Sequence, residues 1–381
     1  MKPIYLDYNA STPVDPQVLD EMLPYLRERF GNPSSSHSFG VSNRAGIEQA
    51  RERLALLIGC GAPEVIFTSG ATESNNMAIR GLADLADGRR HLVVSAIEHK
   101  SVLDTATRLG YAGWRVTVVP VGRDGRVDLD ALAAAVDADT LLVSVMAANN
   151  EIGVVQPLAE IAAIAHARGA RVHVDAAQAV GKIPVDVGAL DVDLLSLTGH
   201  KMYGPKGCGA LYIRRQVEVG PIITGGGHER GLRSGTLNVP GIVGLGRACA
   251  IARAEMAAEG QRLRTLRDRL LAGLSSRLDG IAVNGSLDHR LPHNLHVSFD
   301  GVDGESLLVG IGDIAVSTGS ACSSASATPS HVLQAISHGA PVPAATIRFG
   351  LGRWTTGEDI DYAIERFATV VGHLRRTSPV R

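Results

Sequence analysis

A chain of 381 residues is too long for one simple core and calls for two domains, or a large domain with a smaller partner. With 45% apolar and 20% charged residues it fits an ordinary globular protein, and a net charge of −2 offers no basic excess for nucleic acid or an anionic membrane. No apolar stretch is long enough to cross a bilayer, and residues 1–13 carry Asp7 but no long apolar run, so the default compartment is the cytosol.

In chain order, apolar runs predict strands over 64–68, 91–96, 115–119, 141–146, 171–175, 194–197 and 210–213. Helical spacing between them predicts helices over 73–86, 100–109, 129–136 and 158–167. Strand and helix in alternation imply an α/β layer with a large, mainly parallel seven-stranded sheet. After Pro240 the pattern changes. A long helix is expected over 242–278, then a strand at 295–299, a helix at 305–309, strands at 314–316 and 346–349, and a last helix at 358–374. These shorter pieces read as a smaller α+β domain. The division expected is 14–260 for the large domain, and 1–13 with 261–381 for the small one. Arg262, Arg264, Arg267 and Arg269 repeat at helical spacing and read as a solvated helix face. There is no internal repeat.

Six segments carry candidate chemistry. Ser69-Gly70-Ala71-Thr72-Glu73-Ser74 follows a strand and opens a helix. It is either an ordinary cap, with Ser69 or Thr72 at the N-cap, or an anion cradle of free backbone N–H groups. Glu98-His99-Lys100 offers a histidine at a strand end, able to stack on a flat ring and move a proton, or simply to hydrogen-bond. Asp175 ends the apolar run of His173-Val174-Asp175-Ala176-Ala177-Gln178, where ligand sites of open α/β sheets collect. It can pair with a cationic ring nitrogen or cap a helix. Lys201, in Gly199-His200-Lys201-Met202-Tyr203-Gly204, follows another strand; it is a Schiff-base lysine or a surface loop residue.

Cys322 lies in Ser317-Thr318-Gly319-Ser320-Ala321-Cys322-Ser323-Ser324. It has no bulky apolar neighbour, so packing does not explain it, and a small-residue loop lets a thiolate travel. The other cysteines, Cys60, Cys208 and Cys249, show no paired spacing with it or with each other, which argues against disulfides and structural zinc. Arg348, on the apolar stretch Thr346-Ile347-Arg348-Phe349-Gly350, needs an anion, either a substrate carboxylate or a salt-bridge partner.

The order of these parts, with Asn149-Asn150-Glu151-Ile152-Gly153 and the run GGGHERGLRSGT from Gly225, resembles the cysteine desulfurases of the class V aminotransferase family from residue 5 to residue 353. These are the enzymes that feed iron–sulfur cluster assembly and nitrogenase maturation. The resemblance implies a fold-type-I enzyme that uses pyridoxal 5'-phosphate, works as a homodimer and acts on L-cysteine. It implies Lys201 as the Schiff-base lysine, Asp175 on the pyridine nitrogen, and His99 stacked on the ring and active in proton transfer. Asn150 and Gln178 would meet the ring's phenolic oxygen, with Asn150 also near the substrate. Ala71, Thr72, Thr198, Gly199 and His200 would hold the phosphate, with Thr236 reaching it from the other subunit. Arg348 would bind the substrate carboxylate, and Cys322 would take the sulfur as a persulfide for a scaffold or other acceptor protein. No stable metal site follows; the same cysteine can touch a cluster iron in passing.

Thr198 stands where the family usually has serine and keeps the hydroxyl. The sequence ends at Arg381, where housekeeping members carry a longer tail that meets the scaffold, which tilts the expectation toward the nitrogen-fixation-like branch or another acceptor. Selenocysteine lyases and related β-lyases of this fold can work without a catalytic thiol, and a non-catalytic regulator would not need Lys201, Asp175 and Cys322 together. No G-x-G-x-x-G turn opens the first βα unit, which argues against a nicotinamide cofactor.

Overall fold

Strands covered on both faces should be mostly apolar, and the inner strands of the central sheet are built that way. A computed structural model describes residues 3–318 and 330–377. Cys322, and most of the loop expected over 317–328, lie outside the described residues. The chain opens with β1 (Ile4–Tyr5), α1 (Pro16–Arg27) and α2 (Ser38–Ile58). The alternating region follows: β2 (Val65–Thr68), α3 (Ala71–Asp84), β3 (His91–Ser95), α4 (Lys100–Tyr111), β4 (Arg115–Val119), α5 (Leu129–Ala135), β5 (Thr140–Ser144), α6 (Leu158–His166), β6 (Arg171–Asp175), β7 (Leu194–Thr198) and β8 (Gly209–Ile213). Then come α7 (Val239–Ser275), β9 (Ile281–Val283), β10 (Asn294–Phe299), α8 (Gly304–Gly310), β11 (Ile314–Ala315), α9 (His331–Ser337), β12 (Thr346–Gly350) and α10 (Gly357–Thr377).

The large sheet has seven strands in the order β2-β8-β7-β6-β5-β3-β4. Only β8 among them runs against its neighbours. Alternate residues serve opposite faces. Val93 and Val143 enter a core shared with α2, α6 and the first half of α7, whereas Leu92, Val94 and Leu142 enter a core with α3 and α4. A second sheet, β12-β10-β9, is antiparallel and packs on α10 and the second half of α7. Phe299 and Phe349 both meet Phe367 of α10 there. The 37-residue α7 thus serves both cores: Ile242, Leu245 and Cys249 in the first, Leu263, Leu270 and Leu274 in the second.

Two sequence readings need correction. The arginine cluster of α7 is not a uniform solvated face. Arg267 is buried on the same stripe as Leu263 and Leu270, and Arg262 donates to the carbonyls of Gly352, Arg353 and Thr355. The helical spacing of 3.6 residues puts 263, 267 and 270 on one side. The sequence reading also has no element for α2, because its buried side is made of Gly40, Asn43, Gly46 and Arg51 as well as Ile47 and Leu54. Small residues there let helices approach: a Cβ on Gly246 of α7 would lie 2.5 Å from Ala50.

Candidate active site

Because β2, β3, β5, β6 and β7 are parallel, the segments that follow them leave the sheet at one edge, where ligands of such sheets bind. Residues 69–72, 99–101, 150–151, 175–178 and 199–201 are brought together there.

The turn from β2 into α3 is open. Gly70 is the N-cap at φ 153° and ψ 179°, backbone that side-chain-bearing residues avoid, and it makes no side-chain cap. Neither Ser69 nor Thr72 caps the helix. The Ser69 N–H is taken by Glu73 (2.9 Å), whose carboxylate also holds Arg233 (2.8 Å). The first N–H groups of this 14-residue helix therefore have no side-chain acceptor, the arrangement that receives an anion.

Asp175 ends β6 and is 5% exposed. Its Oδ2 accepts from the Asn75 amide (2.7 Å) and its Oδ1 from the Ala177 N–H (3.0 Å); a turn, not a helix, follows. Half-buried His99 is the N-cap of α4, and burial is the main cause that holds its pKa below the usual histidine range. Gln178 is clasped by Asn9: its Oε1 accepts from Asn9 Nδ2 (3.2 Å) and its Nε2 donates to the Asn9 carbonyl (3.0 Å).

Lys201 closes a 3-10 turn, Gly199–Lys201, after β7. Both the N–H and the hydroxyl of Thr12 bond the His200 carbonyl, and the Thr12 hydroxyl accepts the Tyr203 N–H (2.9 Å). Tyr203 sits at φ 63°, strained for a non-glycine residue. Its surroundings over-determine that state. The ring lies between Lys182 (4.1 Å) and Arg353 (4.3 Å), and its hydroxyl donates to Glu259 (2.8 Å) and accepts the Arg353 N–H (2.7 Å). His200 contacts the Ser11 hydroxyl (3.2 Å), and its pKa is pushed down to about 4 by burial and then by Lys201 and Lys206.

Arg348 of β12 is buried. It bonds Asp7 (2.7 Å) and the Asn150 carbonyl (2.9 Å), so the salt-bridge reading holds for one edge of the guanidinium. Its Nε is buried with no hydrogen-bond partner among the described residues, leaving a donor for an anion. Thr198 is buried at the end of β7, Ala71 is half-buried, and Thr72 and Thr236 are exposed. Burial pushes the Cys60 and Cys208 thiols up to about 12 and Cys249 higher still, which makes all three poor thiolates.

Several residues of this edge escape the sequence reading. Glu98 is fully buried, its pKa raised to about 8 by desolvation, and its Oε1 ties the Ser95 hydroxyl to the Met146 N–H. Asn75, Ser101 and Asn9 join them; the Asn75 signal was its place one helical turn after Ala71. Among the described residues no group of three or more His, Cys, Asp or Glu could hold a metal ion.

The profile of the family described as aminotransferase class-V matches residues 4–363. The chain belongs to the class-V aminotransferases. As a class-V aminotransferase it is 53% identical to a cysteine desulfurase IscS of Anaeromyxobacter sp. (strain K), over 99% of this chain and 95% of that one. It is 49% identical to a cysteine desulfurase of Homo sapiens, over 100% of this chain and 84% of the relative. Among solved structures, a NifS-like protein superposes with a TM-score of 0.92 at 40% identity, covering 98% of this chain and all of its own.

Proposed function

We propose that this chain is a cysteine desulfurase, a sulfurtransferase that releases L-alanine from L-cysteine and keeps the sulfur as a persulfide on Cys322. The observation that carries the reading is identity of about half to curated cysteine desulfurases over nearly the whole chain. The site supports it. Pyridoxal 5'-phosphate fits the residues present: the open start of α3 for its phosphate, the Asp175 carboxylate for its ring nitrogen, and the amine of Lys201 for its aldehyde. Bound there, it supplies an electron-poor ring that stabilises negative charge at the substrate α-carbon.

The protein groups then divide the work. Ala71, Thr72, Thr198, Gly199 and His200 hold the phosphate, joined by Thr236 of a second copy in a homodimer. His99 would stack on the ring, and Asn150 and Gln178 would orient its phenolic oxygen. Arg348 offers its unpaired Nε to the substrate carboxylate. Lys201 takes the α-proton. The Cys322 thiolate attacks the substrate sulfur; the new S–S bond forms as the C–S bond breaks, and its electron pair stays on the carbon that becomes alanine. The sulfur passes on to an iron–sulfur scaffold or another acceptor protein, in the cytoplasm. We place the division between the large and small domains at residue 260, within α7. No helix of the described residues is long and apolar enough to cross a membrane.

Cys322→Ala tests the reading. The variant should bind the cofactor and form no persulfide, with alanine formation from cysteine lost. Full alanine formation would instead favour a β-lyase that needs no thiol.

A further inference from the structure

The groups around His99 fix which of its nitrogens carries the proton. Nδ1 accepts the backbone N–H of Ser101 (3.1 Å), as the N-cap acceptor of the 12-residue α4. The Ser101 hydroxyl lies 2.8 Å from the same nitrogen. That hydroxyl accepts one hydrogen of the Asn75 amide (2.8 Å), and the other Asn75 hydrogen goes to Asp175 (2.7 Å). The amide cannot turn over, because its oxygen would then face the carboxylate. The buried Asn75 Oδ1 has no partner among the described residues, so both hydrogens are committed even though its acceptor is left unpaired. With Asn75 donating to it, the Ser101 hydroxyl has its own hydrogen free for Nδ1. Nδ1 then faces two donors and has no place for a proton.

We propose that His99 enters the reaction as a neutral imidazole with its proton on Nε2, a hydrogen-bond donor rather than a proton-shuttling base, and that Ser101 and Asn75 are positioning residues that fix this state. The inference rests on the cysteine desulfurase reading for its substrate and narrows the proton-transfer role that the resemblance gives His99. The charged groups facing the ring agree in sum. Burial, Lys201 beyond β7 and His331 of α9 disfavour the imidazolium; Asp175 of β6 and Asp104 of α4 favour it; the net direction is down. The start of a helix also disfavours a cation. A neutral donor polarises an acceptor without removing a proton, which leaves the α-proton to Lys201.

The test is 15N NMR of histidine-labelled full-length protein loaded with pyridoxal phosphate, in wild type and Ser101→Ala, followed over pH. His99 should show the Nε2–H tautomer at neutral pH and become imidazolium only below the usual histidine range. Ser101→Ala should move that titration upward by about half a pH unit. It should also lower kcat roughly fivefold with little change in KM. His99→Gln, which keeps a donor but cannot act as a base, should retain more alanine formation than His99→Ala. A proton on Nδ1, an imidazolium at neutral pH, or a His99→Gln variant as inactive as His99→Ala would overturn the proposal. The tautomer is read without cysteine, so failure of the desulfurase reading, seen as no persulfide on Cys322, is a separate result.

Discussion

The turn that carries Lys201 and the turn that opens α3 follow strands of the same sheet edge, yet they are built in opposite ways. The first is saturated: Thr12, Gly199, Tyr203, Glu259 and Arg353 close its backbone and side-chain bonds around a residue at φ 63°. The second is left open, with a glycine N-cap and no side-chain acceptor. On the proposed function, the difference follows from what each must do. An amine that holds a cofactor covalently has to be placed by the protein alone, before any ligand arrives. A phosphate supplies the missing acceptors itself, so capping the helix would compete with it.

Three changes should break the contrast, from the largest effect to the smallest. Gly70→Ala puts a side chain on backbone at φ 153°, ψ 179°, which costs about 1–3 kcal/mol. Relief of that strain would turn the first N–H groups of α3, so pyridoxal phosphate binding should weaken roughly tenfold in a fluorescence titration; an unchanged affinity would sink the open-turn idea. Tyr203→Phe deletes the hydroxyl between Glu259 and Arg353. Thermal unfolding should show a loss of about 1–3 kcal/mol, with the strained turn loosened. The third is acid. His200 titrates in the fold at about 4, below the ordinary value of 6.5. Its contribution to stability is therefore complete above about 6.5 and is lost as pH falls toward 4. A His200→Asn variant should lose less stability than wild type over that window, and parallel curves would show that the Lys201 turn does not feel the proton.

The sheet is legible in the sequence because strands covered on both faces are buried in every residue and mostly apolar, as β3, β5, β7 and β8 are, with a few buried polar residues such as His91, Thr140 and Ser196 among them. Helix α2 is not, because its buried stripe mixes Gly40, Gly46, Asn43 and Arg51 with its few large apolar residues. The strand-end residues His99, Asp175 and Lys201 stand out by position alone. Their supports do not. Asn75 and Ser101 look like solvated helix residues, and Asn9 lies 169 residues from the Gln178 that it clasps, a separation only the fold removes. Arg348 shows the middle case. The sequence left a salt bridge and a substrate carboxylate equal, and the fold gives one edge to Asp7 while leaving Nε unpaired.

The central claim is a sulfur atom passed from cysteine to one side chain of this protein. Mass spectrometry of the peptide that contains Cys322, taken after brief exposure to L-cysteine under non-reducing conditions, reads it directly. One added sulfur atom on Cys322, absent from Cys60, Cys208 and Cys249 and removed by reductant, is the expected result. An unmodified Cys322 in a protein that still turns cysteine into alanine would contradict it.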